Sequence, residues 1–199
     1  DLNAGKSLRC IEELKRVDFH LGPLFSFIES EYEEDEFLVV VCTDHGTAYF
    51  TEEMKQLSRE RCNVSLMMRG GGVPTGRSDE IVQNSDILPT LIKLADIKTN
   101  CITEGRVPEI LDGPPARRHA MTEILFPGTP YEATIKNNTF DFYFKSKENA
   151  DDKGRFDKSL FESVLYMRGD FDKEVTADHP DQVAAFEKTV LYALARDKP

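Results

Sequence analysis

Six consecutive apolar residues, Phe37-Leu38-Val39-Val40-Val41-Cys42, give way without transition to the polar tetrapeptide Thr43-Asp44-His45-Gly46. A run this short, rich in β-branched side chains and without polar alternation, reads as a strand buried on both faces, the kind found inside a parallel sheet. In open α/β sheets the ligand crevice lies beyond the carboxyl ends of the strands, so the tetrapeptide stands where a site is expected.

The flanking patterns extend that reading. Leu8, Ile11, Leu14, Val17, Leu21, Leu24, Phe25 and Ile28 recur at three- and four-residue steps and predict an amphipathic helix, which Gly22-Pro23 should kink or split. The acidic stretch from Glu29 to Glu36 is too densely charged to be buried and reads as a solvated turn. Val64 to Met68 forms a second apolar run, followed by a loop from Arg69 to Gly76 whose glycines Gly70 to Gly72 read as a tight turn. Ser85 to Ala95 then predicts a helix with Ser85 as its cap, Asp86 at the positive end of the dipole and Pro89 in the first turn. This order predicts an α/β fold over residues 1–113: a helix-flanked, mostly parallel sheet.

Past Gly113-Pro114-Pro115 the pattern changes. His119 to Leu125, Tyr131 to Lys136, Phe140 to Lys145 and Ser163 to Arg168 are short β-like segments, and Glu148 to Lys158 reads as a polar loop. A final helix after Asp178-His179-Pro180 carries Val183, Phe186, Val190, Leu191 and Leu194 on one face. Residues 114–199 are therefore expected to form a small antiparallel sheet closed by a C-terminal helix.

Composition removes some function classes. The formal charge of −11 opposes binding to nucleic acid, which requires clustered Lys and Arg. A small anionic ester is not excluded, because one metal and one or two local cations suffice to bind it. No apolar run approaches the roughly 20 residues of a membrane span. Cys10, Cys42, Cys62 and Cys101 include no C-x-x-C pair, which gives no support to a zinc ribbon or a redox motif and leaves the compartment open. The chain opens at Asp1-Leu2-Asn3 beside a helical pattern and without Met, which we read as sequence removed upstream.

Asp44 offers a hard carboxylate, His45 an imidazole, and Gly46 a turn with no side chain in the way of a ligand. By itself the tripeptide equally fits a capping Asp and an ordinary loop histidine. The segments around it narrow the choice. Arg16-Val17-Asp18-Phe19-His20-Leu21-Gly22 lies on the first helix, Val39 to Gly46 forms the strand and its polar end, and Val64 to Gly76 forms the second strand and glycine turn. Ser85 to Ile97 follows, and far downstream come Val164-Leu165-Tyr166-Met167 and Asp170-Phe171-Asp172-Lys173-Glu174. In this order they resemble the sulfatase family of the alkaline phosphatase superfamily. The corresponding family patterns are a helix with D-x-x-(I/L)-G, a strand into T-S-D-H/N-G, V-P-L-I-x-x-P-G, D-I-x-P-T-L-L-x-L-A-G-I, and finally E-L-Y-D-L with D-P-x-E.

The resemblance implies a divalent cation, Ca²⁺ or Mg²⁺ first and Mn²⁺ or Zn²⁺ as alternatives favoured by the imidazole. Asp44 and His45 would hold it, with acidic residues of an earlier strand, where it polarises a sulfuryl or phosphoryl oxygen. The family's nucleophile is a formylglycine made from the Cys or Ser of C/S-x-P-x-R, or a Thr or Ser in phosphatase branches. Neither that motif nor the early Asp-Asp pair occurs in this chain. The expectation is thus the C-terminal portion of a sulfatase-like domain, supplying metal ligands but no nucleophile, silent by itself and completed by the missing N-terminal part of the same protein. Lys55 resembles the family's sulfate-touching lysine, although the Tyr that should follow is absent and the connecting segment is shortened; a solvated lysine is the plain alternative.

The implied activity is cleavage of sulfate esters such as a sulfated sugar or aryl sulfate. The alternatives are a phosphodiesterase or a phosphoglycerol or phosphoethanolamine transferase of the same superfamily, and a non-catalytic binding module. Family members are commonly exported, to the periplasm or the extracellular space. Of the other polar candidates, His119 behind Arg117-Arg118 reads as a surface basic cluster, and His20 and His179 have no partner at ligand spacing.

Overall fold

The computed structural model describes residues 2–46 and 57–196. The chain divides into two units, the first formed by Asp1–Met54 and Asn63–Pro115, the second by Lys55–Cys62 and Ala116–Pro199. The architecture is α/β.

In the first unit, α1 runs from Leu2 to Glu31 as one helix with Pro23 inside it. Gly22-Pro23 does not split the helix: a proline forfeits one intrahelical bond, at a cost of about 3 kcal/mol, and the turns on either side carry the helix through. β1 (Leu38–Cys42) pairs with β2 (Leu66–Gly70) in the register Leu38↔Gly70 to Cys42↔Leu66. The pairing is antiparallel, and no mostly parallel sheet is present among the described residues. The apolar run signalled burial, but a strand's side-chain pattern is the same in either direction, so hydrophobicity carried no information on polarity. Nor is β1 sealed: Leu38 to Val41 are half-buried and Cys42 is exposed.

Gly70 ends β2 at φ +89°, where an added Cβ would meet the Phe37 carbonyl oxygen at 2.2 Å. Val73 N–H donates to the Gly70 carbonyl at 3.1 Å, closing the tight turn that the glycines foreshadowed. Arg69 ties the ribbon to the acidic stretch through Glu34, at 3.2 and 3.1 Å, and Glu29.

A 3-10 turn, Asn84–Asp86, leads into α3 (Ile87–Leu94). The cap is not Ser85: Gln83 and Asp86 form the reciprocal capping box at the turn. Asp86 is 2% exposed and accepts hydrogen bonds from Gln83 N–H and Arg106 N–H, both at 2.8 Å. Gly105 is required where that strand of chain passes, because a Cβ there would lie 1.8 Å from the Ser85 carbonyl oxygen.

The second unit holds the five-stranded antiparallel sheet β3 (Ala120–Ile124), β4 (Pro130–Lys136), β5 (Phe140–Asn149), β6 (Phe161–Met167) and β7 (Asp170–Glu174), in that spatial order. Consecutive strands are neighbours, each turning back antiparallel beside the one before it. The last strand, β7, falls on the segment read from sequence only as a motif. α4 (Pro180–Arg196) covers one face, where Val183, Phe186, Val190 and Leu194 bury against Tyr131, Ile135, Phe142, Phe144 and Leu165. Within this unit the short helix α2 (Arg59–Cys62) follows the buried residues Leu57 and Ser58.

Candidate metal-binding site

β1 delivers Thr43 to a pair of contacts with the chain entering β2. Its N–H donates to the Ser65 carbonyl at 3.3 Å, and its hydroxyl accepts from Ser65 N–H at 3.2 Å. Pairing then stops and Asp44 and His45 turn outward, their side chains 89% and 57% exposed. The Asp44 carboxylate divides its work. Oδ1 accepts the His45 N–H at 2.8 Å, while Oδ2 lies 3.7 Å from His45 Nε2.

The other ring nitrogen, Nδ1, stands 2.9 Å from the Gly46 carbonyl oxygen. A carbonyl only accepts, so Nδ1 is the donor of that contact, and Nε2 is the ring nitrogen turned toward Asp44. Holding one ring nitrogen so that the other faces a cation is the usual arrangement of a metal-ligating histidine.

Two donor atoms 3.7 Å apart suit a shared cation, since ligand bonds of about 2.0–2.6 Å to one ion place neighbouring donors at this separation. The pair therefore fits as two arms of a cation site. Among the described residues no group of three or more His, Cys, Asp or Glu side chains converges to complete one. Lys55, the sequence's substrate-binding candidate, lies outside the described residues.

One residue that the sequence reading passed over is in contact with this loop. Asn84 donates from its carboxamide to the Thr43 carbonyl at 3.1 Å and to the Asp44 carbonyl at 3.0 Å. Nothing in the sequence marked it, because the contact spans 40 residues and joins a side chain to backbone, which no local pattern encodes.

The remaining histidines each lie edge-on to a phenylalanine ring. His20 is edge-on to Phe19 at 5.5 Å, His119 to Phe186 at 6.1 Å and His179 to Phe140 at 4.9 Å. Burial, with the Arg117 charge nearby, lowers the proton affinity of His119. All four cysteines are free thiols.

The second unit holds a titratable cluster that the sequence did not announce. Lys136 Nζ donates to the Tyr143 hydroxyl at 3.1 Å, lies 3.5 Å from Asp141 Oδ1 and sits 4.8 Å from the centre of the Tyr143 ring. Asp141 is buried and accepts Gly169 N–H at 3.1 Å. Burial pushes the Lys136 ammonium below its usual range, against the pull of Asp141. It pushes the Tyr143 phenol far above its own range, with Asp141 adding to the effect. Cys62 is raised for the same reason, with Lys136 opposing and Thr122 hydrogen-bonded to it.

No family model matches the sequence, and no curated protein matches it.

Proposed function

We propose that this chain is the C-terminal part of a metal-dependent, sulfatase-like ester hydrolase, and that Asp44 and His45 supply two of its cation ligands. The observation that carries the reading is the pairing of Asp44 Oδ2 with Nε2 of His45, 3.7 Å apart at the carboxyl end of a strand and open to solvent. The ordered sequence resemblance gives the pairing its chemical meaning. A cation bound there would withdraw charge from a sulfuryl oxygen, as a Lewis acid does. The chain's own residues orient the two ligands, and Lys55 is assigned the anionic group of the ester.

The surface of the first unit supports a larger sheet around it. Leu14 and Val17 on α1 are 68% and 54% exposed, a heavy exposure for residues spaced as one apolar stripe. β1 has a free outer edge among the described residues, with no Lys or Pro to protect it. In this reading both are covered by the preceding part of the same domain, which also brings the nucleophile, the acidic ligands and the mostly parallel strands.

The test is hydrolysis of 4-nitrophenyl sulfate and of bis(4-nitrophenyl) phosphate by the parent protein and its Asp44→Ala variant. The expected result is turnover of the sulfate ester, lowered about a thousandfold or more in the variant, as loss of several kcal/mol of charge stabilisation requires. Preference for the phosphate ester would move the protein to the phosphoryl-transfer branch. Turnover indifferent to Asp44 would end the proposal.

A further inference from the structure

Successive carbonyls along an extended chain point to opposite sides. The carbonyls of Thr43 and Asp44 nevertheless both accept from one carboxamide, that of Asn84, at 3.1 and 3.0 Å. A single amide reaches both only because the chain bends at this point, so the two bonds hold the bend that turns Asp44 and His45 outward. Asn84 itself is firmly mounted. It begins the 3-10 turn whose last residue, Asp86, is buried and bonded to Gln83 N–H and Arg106 N–H. The Thr90 hydroxyl closes the next turn on the Asp86 carbonyl at 2.6 Å.

The clamp has a second consequence. Main-chain carbonyls are hard oxygen donors of the sort Ca²⁺ recruits, and these two are engaged by N–H groups. What the loop offers a cation is then one carboxylate oxygen and one imidazole nitrogen, a donor set that favours an ion tolerant of nitrogen.

We propose that Asn84 is a positioning residue of the cation site, which fixes the bend presenting Asp44 and His45 and withholds the Thr43 and Asp44 carbonyls, so that it sets both affinity and the preference for Mn²⁺ over Ca²⁺. This rests on the reading of Asp44 and His45 as cation ligands. Asn84 touches no cation itself. Outer partners of this kind typically contribute about 10- to 100-fold in metal affinity.

The experiment follows the backbone amide resonances of His45 and Gly46 in the parent protein during a Mn²⁺ titration, with Ca²⁺ as competitor, for wild type, Asn84→Ala and Asn84→Gln. The longer carboxamide of the second variant retains both donors. Melting curves and spectra of α3 and of the five-stranded sheet report whether each variant is folded. In the wild type, saturable broadening at His45 and Gly46 is expected. Asn84→Ala should weaken Mn²⁺ by about 10-fold or more and Ca²⁺ by less, lowering the Mn²⁺/Ca²⁺ ratio, and Asn84→Gln should recover part of the ratio. A general loosening of the fold would weaken both ions together and would count against the inference. Equal Mn²⁺ affinity and an unchanged ratio in Asn84→Ala overturn the inference while leaving the cation reading intact. Absence of saturable broadening in the wild type overturns the cation reading, and the inference falls with it.

Discussion

His45 Nε2 faces Asp44 Oδ2 across 3.7 Å, and the ring is held from its far side by the contact of Nδ1 with the Gly46 carbonyl at 2.9 Å. The ligand the ring can offer a cation is an imidazole nitrogen. Replacing it with an amide oxygen changes the kind of ion the pair prefers more than it changes the ability to bind one. His45→Asn should retain Ca²⁺ or Mg²⁺ while losing about tenfold or more against Mn²⁺ and Zn²⁺, because imidazole is the better donor to the latter pair. Competitive titration of the variant with Ca²⁺ and Mn²⁺ checks this; an unaltered order of preference would show that His45 is not a ligand.

The stability of the second unit rests on the apolar layer between its sheet and α4. Phe142 is fully buried there, tilted against Phe186 at 5.5 Å between ring centres. Phe142→Ala should cost about 3–5 kcal/mol, the combined loss of transfer energy and packing. Ile102, which is 97% exposed, should tolerate the same change within about 0.5 kcal/mol. Urea unfolding of the two variants measures the contrast, and similar midpoints would contradict the assignment of the core.

The Lys136 cluster makes a prediction about alkali. Cys62 and Tyr143 have folded-state proton affinities raised from their ordinary 9.0 and 10.0, chiefly by burial. The stability they contribute is fully present below those ordinary values and is lost as pH rises through the folded ones. Lys136 acts in the opposite sense, since its affinity is lowered from 10.5 and its neutral form is the one the fold prefers. Two groups oppose one, and Tyr143 is the more strongly displaced, so stability should decline from about pH 9 upward and more steeply above pH 10. Tyr143→Phe removes an ionisable group and should flatten that decline, at some cost in stability near neutrality from the lost Lys136 contact. Urea midpoints between pH 7 and 11 provide the measurement, and an equally steep alkaline limb in the variant would assign the effect elsewhere.

The second unit was legible in the sequence because its signals are local. Alternating segments such as Tyr131 to Lys136 and the stripe Val183, Phe186, Val190 and Leu194 specify a face each, and the sheet and α4 follow from burying those faces together. The strand β1 and its polar end were equally plain. What the residues could not convey was relational: the antiparallel sense of β1 against β2, the Asn84 clamp, and the polar cluster that joins Cys62 to strands far along the chain. The helix cap illustrates the point at short range. Ser85 has the preferred side chain for a cap, yet the box is formed by Gln83 and Asp86, and the Asp86 carboxylate also receives Arg106 N–H from a segment 20 residues away.

A crystal of the parent protein soaked in MnCl₂ and recorded at the manganese absorption edge shows directly whether the pair holds a cation. An anomalous difference peak is expected within about 2.0–2.6 Å of both Asp44 Oδ2 and His45 Nε2, absent from crystals of Asp44→Ala. Manganese bound only at other carboxylates, with Asp44 and His45 bare in the same crystal, would contradict the cation reading.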